Sequence, residues 1–208
     1  MTPEIKEKDF TEEKSLKGSE TAKNLLKSFA GESQARNRYI FFASQAKKEG
    51  YKQIEAIFEE TAKNEKEHAE AFFKYLKDSE GEALEIRAEY PAGKIGTTEE
   101  NLLAAAEGEK MEWGELYPEF KKTAEKEGFL KVAETFQEIA EVEEEHEKRY
   151  RKLLENVKNK TVFKKPGKPK TKWKCRNCGY VHEGEEAPEL CPACKHKQEY
   201  YEVLSENY

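Results

Sequence analysis

Residues 64–73 read NEKEHAEAFF, with His68 three places after Glu65 in the middle of an apolar-periodic stretch. Residues 142–150, VEEEHEKRY, repeat the spacing with Glu143 and His146. Residues three apart on a helix point to the same side. In the first stretch the pair shares its stripe with Ile54, Phe58, Thr61, Phe72 and Leu76. In the second it shares one with Val132, Phe136, Ile139, Tyr150 and Leu153. Bare charges on a buried stripe are costly unless they are paired or bound to metal.

The two stretches are copies. A shift of 78 positions lays KEGYKQIEAIFEETAKNEKEH, from residue 48, on KEGFLKVAETFQEIAEVEEEH, from residue 126. Gly50 falls on Gly128, Phe58 on Phe136, Glu65 on Glu143, His68 on His146 and Tyr39 on Tyr117. An internal duplication makes coincidence a poor account of either Glu-His pair.

Apolar periodicity predicts four helices. The first spans Ser19–Glu49, with Leu25, Phe29, Glu32, Arg36, Tyr39 and Ala43 inward, and Gly50 ends it. The second follows at once, and a longer connection covers Ser79–Gly96. Thr97 with Glu100 forms a capping box for the third, which carries Leu102, Ala105, Glu109, Glu112, Leu116 and Phe120 inward. Gly128 interrupts the chain before a fourth helix that runs to Val157. Short, long and short connections imply two antiparallel hairpins joined by a crossover, a four-helix bundle.

Helices one and three add carboxylates at matching depth, Glu32 and Glu109, with Glu112 one turn further on. Taken singly, each glutamate fits a solvated face and each histidine a hydrogen-bonded core. Together they follow a known bundle design: one Glu from each of two helices, and Glu-x-x-His from each of the other two, around two iron or manganese ions. Hard oxygen donors suit such ions, whereas zinc favours Cys or His. The symmetry breaks at Glu112, whose counterpart is Gln34. Glu32 to Tyr39 spans seven positions and Glu109 to Tyr117 spans eight, with the extra residue just before Pro118. The proline ring would clash with the carbonyl of Gly114. A kink or π-bulge is therefore expected, bringing Glu109 and Glu112 both within reach of metal; the alternative points Glu112 to solvent. Tyr39 and Tyr117 are expected to support the carboxylates by hydrogen bonds.

After the bundle, KNKTVFKKPGKPKTK reads as an extended tether. Beyond it Cys175, Cys178, Cys191 and Cys194 make C-x2-C-x12-C-x2-C, a strong signal for a tetrahedral four-thiolate site. Spacing alone leans to structural zinc. Iron in the same cage carries one electron, which makes chemical sense beside a two-metal bundle. The expected division is an N-terminal extension at 1–14, a bundle at 15–160, a linker at 161–171 and a small metal domain at 172–208. Charged residues make up 38% and the net charge is −6, which disfavours nucleic-acid binding. With no apolar run long enough to span a membrane and no secretory h-region, the expected location is the cytoplasm, without membrane partners.

From SLKGSETAKNLLKSFAGESQARNRY to WKCRNCGYVHEGEEAPELCPAC, residues 15 to 194, the chain resembles the rubrerythrin family. The resemblance implies a ferritin-like diiron bundle fused to a rubredoxin-like domain. It implies three non-haem irons, two in the bundle and one on the four cysteines, with zinc as a possible substitute. It further implies a peroxidase that reduces hydrogen peroxide to water in oxidative-stress defence. In that family pattern Glu65 and Glu143 bridge the irons, Glu32 and Glu112 complete one, and Glu109 and His146 complete the other. His68 takes the place of Glu112 when the iron is reduced. The resemblance also implies a homodimer, with the four-cysteine domain of one copy near the diiron site of the other. Electrons come from an external donor, a rubredoxin or a reductase. A ferroxidase or iron-storage protein is the alternative, against which the appended four-cysteine domain counts. Two features depart from the pattern: the extension at 1–14, and Lys195 where a typical rubredoxin has glycine.

Overall fold

The computed structural model describes residues 10–207. Four long helices dominate. Helix α1 is Glu20–Lys48 and α2 is Lys52–Tyr75, continued by a 3-10 turn at Leu76–Ser79. Helix α3, Thr98–Met111, passes through a π-helical segment, Glu112–Leu116, into α4, Tyr117–Glu127. Helix α5 is Leu130–Lys158, and three short strands follow: β1 Lys172–Cys175, β2 Val181–Glu183 and β3 Tyr201–Val203. Among the described residues no helix is long and apolar enough to cross a membrane.

Local chemistry explains the boundaries. The Ser19 hydroxyl accepts from the Ala22 N–H at the start of α1. Glu127 takes the N–H groups of Glu20 and Thr21 and the Thr21 hydroxyl, covering the remaining free donors of that turn. Gly50 and Gly128, equivalent in the repeat, both adopt φ of 80°. Each closes its helix with the same pair of bonds: Gly50 to Lys47 and Tyr51 to Ala46, Gly128 to Glu125 and Phe129 to Ala124. A left-handed residue at this point costs glycine nothing sterically, which is why both hairpins turn there. The capping box forms as expected, with Thr97 N–H donating to Glu100 at 2.8 Å and Glu100 N–H to the Thr97 hydroxyl at 3.2 Å.

The chain divides into two compact units. One comprises residues up to Arg38, Thr61–Lys94 and Ala106–Lys148. Its core takes Leu25 from α1, Phe72 and Tyr75 from α2, Tyr117 and Phe120 from α4, and Val132, Phe136 and Ile139 from α5. The expected extension falls partly outside the described residues, but its end has a place here. Phe10 packs on Tyr75 with ring centres 5.4 Å apart, and Glu12 accepts from the Val132 N–H in the first turn of α5.

The other unit comprises Tyr39–Glu60, Ile95–Ala105 and the chain from Arg149 onward. Tyr39, Phe58 and Tyr150 form an aromatic cluster with centroid separations of 5.1 to 6.0 Å. The strands make an antiparallel sheet in the order β2-β1-β3, closed by Trp173, Cys175, Ala187, Cys191 and Tyr201. Tyr51 stacks on Phe163, and the Lys52 ammonium lies 5.3 Å from the Tyr200 ring centre.

One inward assignment fails. Arg36 is exposed, and Ala35 is buried in its place. A guanidinium is costly to bury without a partner, and the stripe passes through its small neighbour instead.

Candidate metal centres

Glu65 and His68 on α2, and Glu143 and His146 on α5, sit on stripes whose neighbours are buried apolar side chains, so all four side chains point into the same interior. His68 Nδ1 lies 2.8 Å from Glu143, 3.0 Å from Glu65 and 3.9 Å from Glu32. His146 Nδ1 repeats the arrangement at 2.7 Å from Glu143, 3.4 Å from Glu65 and 3.9 Å from Glu109. Two groups of potential ligands result, Glu32–Glu65–His68–Glu143 and Glu65–Glu109–Glu143–His146, each with its ligand atoms within 4.8 Å of one another. Glu65 and Glu143 belong to both. The duplicated sequence thus yields a duplicated site with two shared carboxylates.

Glu112 lies outside both groups yet is buried, only 7% exposed, and shares a hydrogen bond with Glu109. It opens the π-helical segment, whose Tyr117 N–H reaches back to the Glu112 carbonyl. The extra residue between Glu109 and Tyr117 is absorbed as this wide turn, just before Pro118, which has no N–H to contribute. Without the bulge, Glu112 and Tyr117 could not both face inward. Tyr117 is buried against Phe72 and Phe136, and its hydroxyl donates to Glu32. The described ring contacts of Tyr39 are with Phe42, Phe58 and Tyr150. Sequence reading missed the Trp113 indole, which donates to Glu147 at 2.7 Å from within the bulge. Only the neighbourhood of Glu147 to His146 could have pointed to it.

Five carboxylates, Glu32, Glu65, Glu109, Glu112 and Glu143, are at most 7% exposed and face two histidines. Even with both histidines charged the cluster keeps an excess of negative charge. Protons must offset that excess when no metal does. Burial drives Glu32 well above the ordinary carboxylate range, reinforced by Glu143, Glu112 and Glu65. Burial and repulsion from Glu143 and Glu65 raise Glu112 to about 8 against the opposing pull of Arg38. Burial opposes the charged form of each histidine, but Glu143 and Glu65 win and raise His68 to about 10 and His146 to about 9. Burial likewise works against Glu65, yet the two histidines hold it down at about 2. The Glu32 Oε2 atom has no hydrogen-bond partner in the protein. An oxygen-rich, over-charged and under-satisfied set of this kind fits two divalent cations.

The four cysteines form a second cluster. Their sulfurs lie within 4.8 Å of one another, at 3.8 Å for Cys175–Cys194 and 3.6 Å for Cys178–Cys191. These separations are too long for disulfides and match the roughly 3.8 Å edge of a tetrahedron with metal–sulfur bonds of about 2.3 Å. The backbone N–H of His196 dominates at Cys194 and lowers its thiol to about 6, favouring the thiolate that binds metal.

Residues 23–154 match the rubrerythrin family model, and residues 173–202 match the rubrerythrin rubredoxin-like domain. The chain belongs to the rubrerythrin family. It is 57% identical to the rubrerythrin of Porphyromonas gingivalis over 195 residues, covering 94% of this chain and 95% of the relative. It is 58% identical to rubrerythrin-1 of Clostridium acetobutylicum, covering 94% of this chain and 100% of the relative. A solved structure of nigerythrin in its fully reduced, all-ferrous state is 27% identical, with a TM-score of 0.60 and coverage of 94% of this chain and 93% of that one. A rubrerythrin-family assignment makes the fold ferritin-like and the bundle site a diiron site. It also resolves the cysteine cluster in favour of iron, where spacing alone left zinc open.

Proposed function

We propose that this chain is a non-haem diiron peroxidase that reduces hydrogen peroxide to water, acting in the cytoplasm against oxidative stress. One observation carries the reading: a single chain holds both a two-metal carboxylate cluster with shared Glu65 and Glu143 and a separate four-thiolate cage. When bound, a ferrous pair supplies the two electrons that break the O–O bond, and the cysteine-held iron supplies electrons singly. Storage of iron needs no such built-in electron inlet.

The roles follow from position. Glu65 and Glu143 would be shared by both irons, a role supported by the membership of each in both ligand groups. Glu109 and His146 would complete one iron, and Glu32 would complete the other with either His68 or Glu112. That pair is the exchangeable position: His68 stands inside the first group and Glu112 just outside it. Tyr117 holds Glu32 in place by its hydrogen bond. Glu112, raised to about 8, retains a proton at neutral pH when it carries no metal. Cys175, Cys178, Cys191 and Cys194 hold the one-electron iron. Bundle 15–160, linker 161–171 and metal domain 172–208 act as the working division. A homodimer brings one copy's cysteine domain to the other's diiron site, and an external rubredoxin or reductase feeds it.

Anaerobic purification, metal analysis and peroxide titration of the reduced protein test this. The expected result is three irons per chain, and loss of the reduced spectrum at one peroxide per two electrons. Oxidation by dioxygen with iron accumulation, and no response to peroxide, would point instead to the ferroxidase alternative.

A further inference from the structure

Beside the carboxylate cluster lies a cavity of about 310 Å³, walled by α1, the α3–π segment and the crossover. Its lining is mostly apolar, led by Tyr90, Pro91, Met111, Leu116 and Phe120. Two glycines contribute to the room, Gly31 and Gly108, which directly precede Glu32 and Glu109 and so occupy equivalent places in the two halves. Neither is required by helix contact. A Cβ on Gly31 would meet Tyr90 at an ordinary 3.8 Å, and one on Gly108 would meet Arg38 at 4.0 Å. Mid-helix glycine is destabilising relative to alanine, so two of them with no packing demand keep space open at a cost.

The lining also holds polar groups, two of them with an unpartnered atom. Ser28 is 1% exposed and its hydroxyl has no partner in the protein. Arg38 Nε is also buried and unpartnered. Glu112 belongs to this cavity and to the carboxylate cluster together. The volume suits only a small ligand, with an apolar body and one hydrogen-bonding head. Hydrogen peroxide has no apolar part to use such walls.

We propose that this cavity binds small organic hydroperoxides as a further substrate class, extending the peroxidase reading on which it rests. The tail packs against Tyr90, Met111, Leu116 and Phe120. The –OOH head lies toward Glu112, the lining residue that also belongs to the carboxylate cluster. The reaction is ROOH + 2e⁻ + 2H⁺ → ROH + H₂O. The O–O bond breaks, two electrons enter from the iron pair, one proton goes to the alkyl-bearing oxygen and one to the departing hydroxyl.

The test uses the full iron-loaded chain and two variants that narrow the cavity, Gly108→Leu and, on the exposed crossover, Ala88→Trp. Calorimetric titration with 2-phenylpropan-2-ol, the alcohol left by cumene hydroperoxide, reads binding without turnover. Stopped-flow reoxidation of the reduced chain by cumene hydroperoxide and by hydrogen peroxide reads chemistry. Saturable alcohol binding is expected in the parent chain and is weakened in both variants. Reoxidation by cumene hydroperoxide should slow by about 10-fold or more in the variants, while that by hydrogen peroxide stays within about two-fold. The proposal falls if the alcohol does not bind, or if the variants slow both peroxides equally. It falls alone if hydrogen peroxide is turned over but cumene hydroperoxide is not. Failure of both peroxides overturns the peroxidase reading as well.

Discussion

The Tyr117 hydroxyl donates to Glu32 across 85 positions of sequence, with both side chains at most 1% exposed. The other oxygen of Glu32 has no partner in the protein. Tyr117→Phe therefore takes the remaining hydrogen bond from a fully buried carboxyl. The expected loss is about 1–3 kcal/mol in the metal-free chain, read from urea unfolding. The loss should shrink when metal is bound, because the ion then satisfies Glu32. Equal losses in both forms would mean that the phenol only fills space.

Protons and metal compete for the cluster, which fixes a pH dependence. The histidines titrate at about 10 and 9 in the fold against 6.5 in the unfolded chain. Their contribution to stability is complete below 6.5 and disappears as pH rises through 9 to 10. Glu112, raised from 4.5 to about 8, likewise favours the fold below 4.5 and loses that contribution through 8. Glu65 runs the other way: held at about 2, it stabilises above 4.5 and ceases to do so only as pH falls toward 2. The metal-free chain should thus lower its Tm between pH 7 and 10, while the iron-loaded chain changes little. Loading metal at pH 7 should release protons in a pH-stat. Loading without proton release would contradict the assignment of His68, His146 and Glu112.

Trp113 gives a third test. Its indole bond to Glu147 ties the π-helical segment to α5, one residue beyond His146. Trp113→Phe keeps the ring but drops the donor, at a cost of about 1–2 kcal/mol. The loss should concentrate locally, as faster hydrogen exchange at the backbone N–H groups of residues 112–117. Uniform or unchanged exchange would mean that the bulge is held by the backbone alone.

These elements were not equally visible in the sequence. The Glu-His pairs, both glycine turns and the capping box were legible because each follows from residues a few positions apart. The bulge was legible because duplication supplies an internal ruler: eight positions from Glu109 to Tyr117 against seven from Glu32 to Tyr39. Arg36 misled because its spacing fits the stripe, and periodicity cannot tell which of two neighbours bears the cost of burial. The Trp113–Glu147 bond and the cavity at Ser28 and Arg38 depend on how distant segments meet. No local period encodes that.

Lys195 supplies the last prediction. Gly179 and Lys195 close the two cysteine knuckles alike, donating N–H to Cys175 at 2.8 Å and to Cys191 at 2.9 Å. Both are left-handed, with φ of 80° and 60°. That conformation costs a lysine about 1 kcal/mol, partly returned by its ammonium bond to the Pro192 carbonyl. Lys195→Gly should therefore slow metal loss to a chelator modestly, by no more than about five-fold. It also removes a positive charge beside a cluster that becomes more negative on reduction, so the potential of the iron-loaded site should fall. Lys195→Met separates the two effects. It keeps the strained backbone and loses the charge, so its potential should fall as in Lys195→Gly with no gain in metal retention. Voltammetry that finds Lys195→Met unchanged and Lys195→Gly shifted would assign the effect to backbone strain rather than charge.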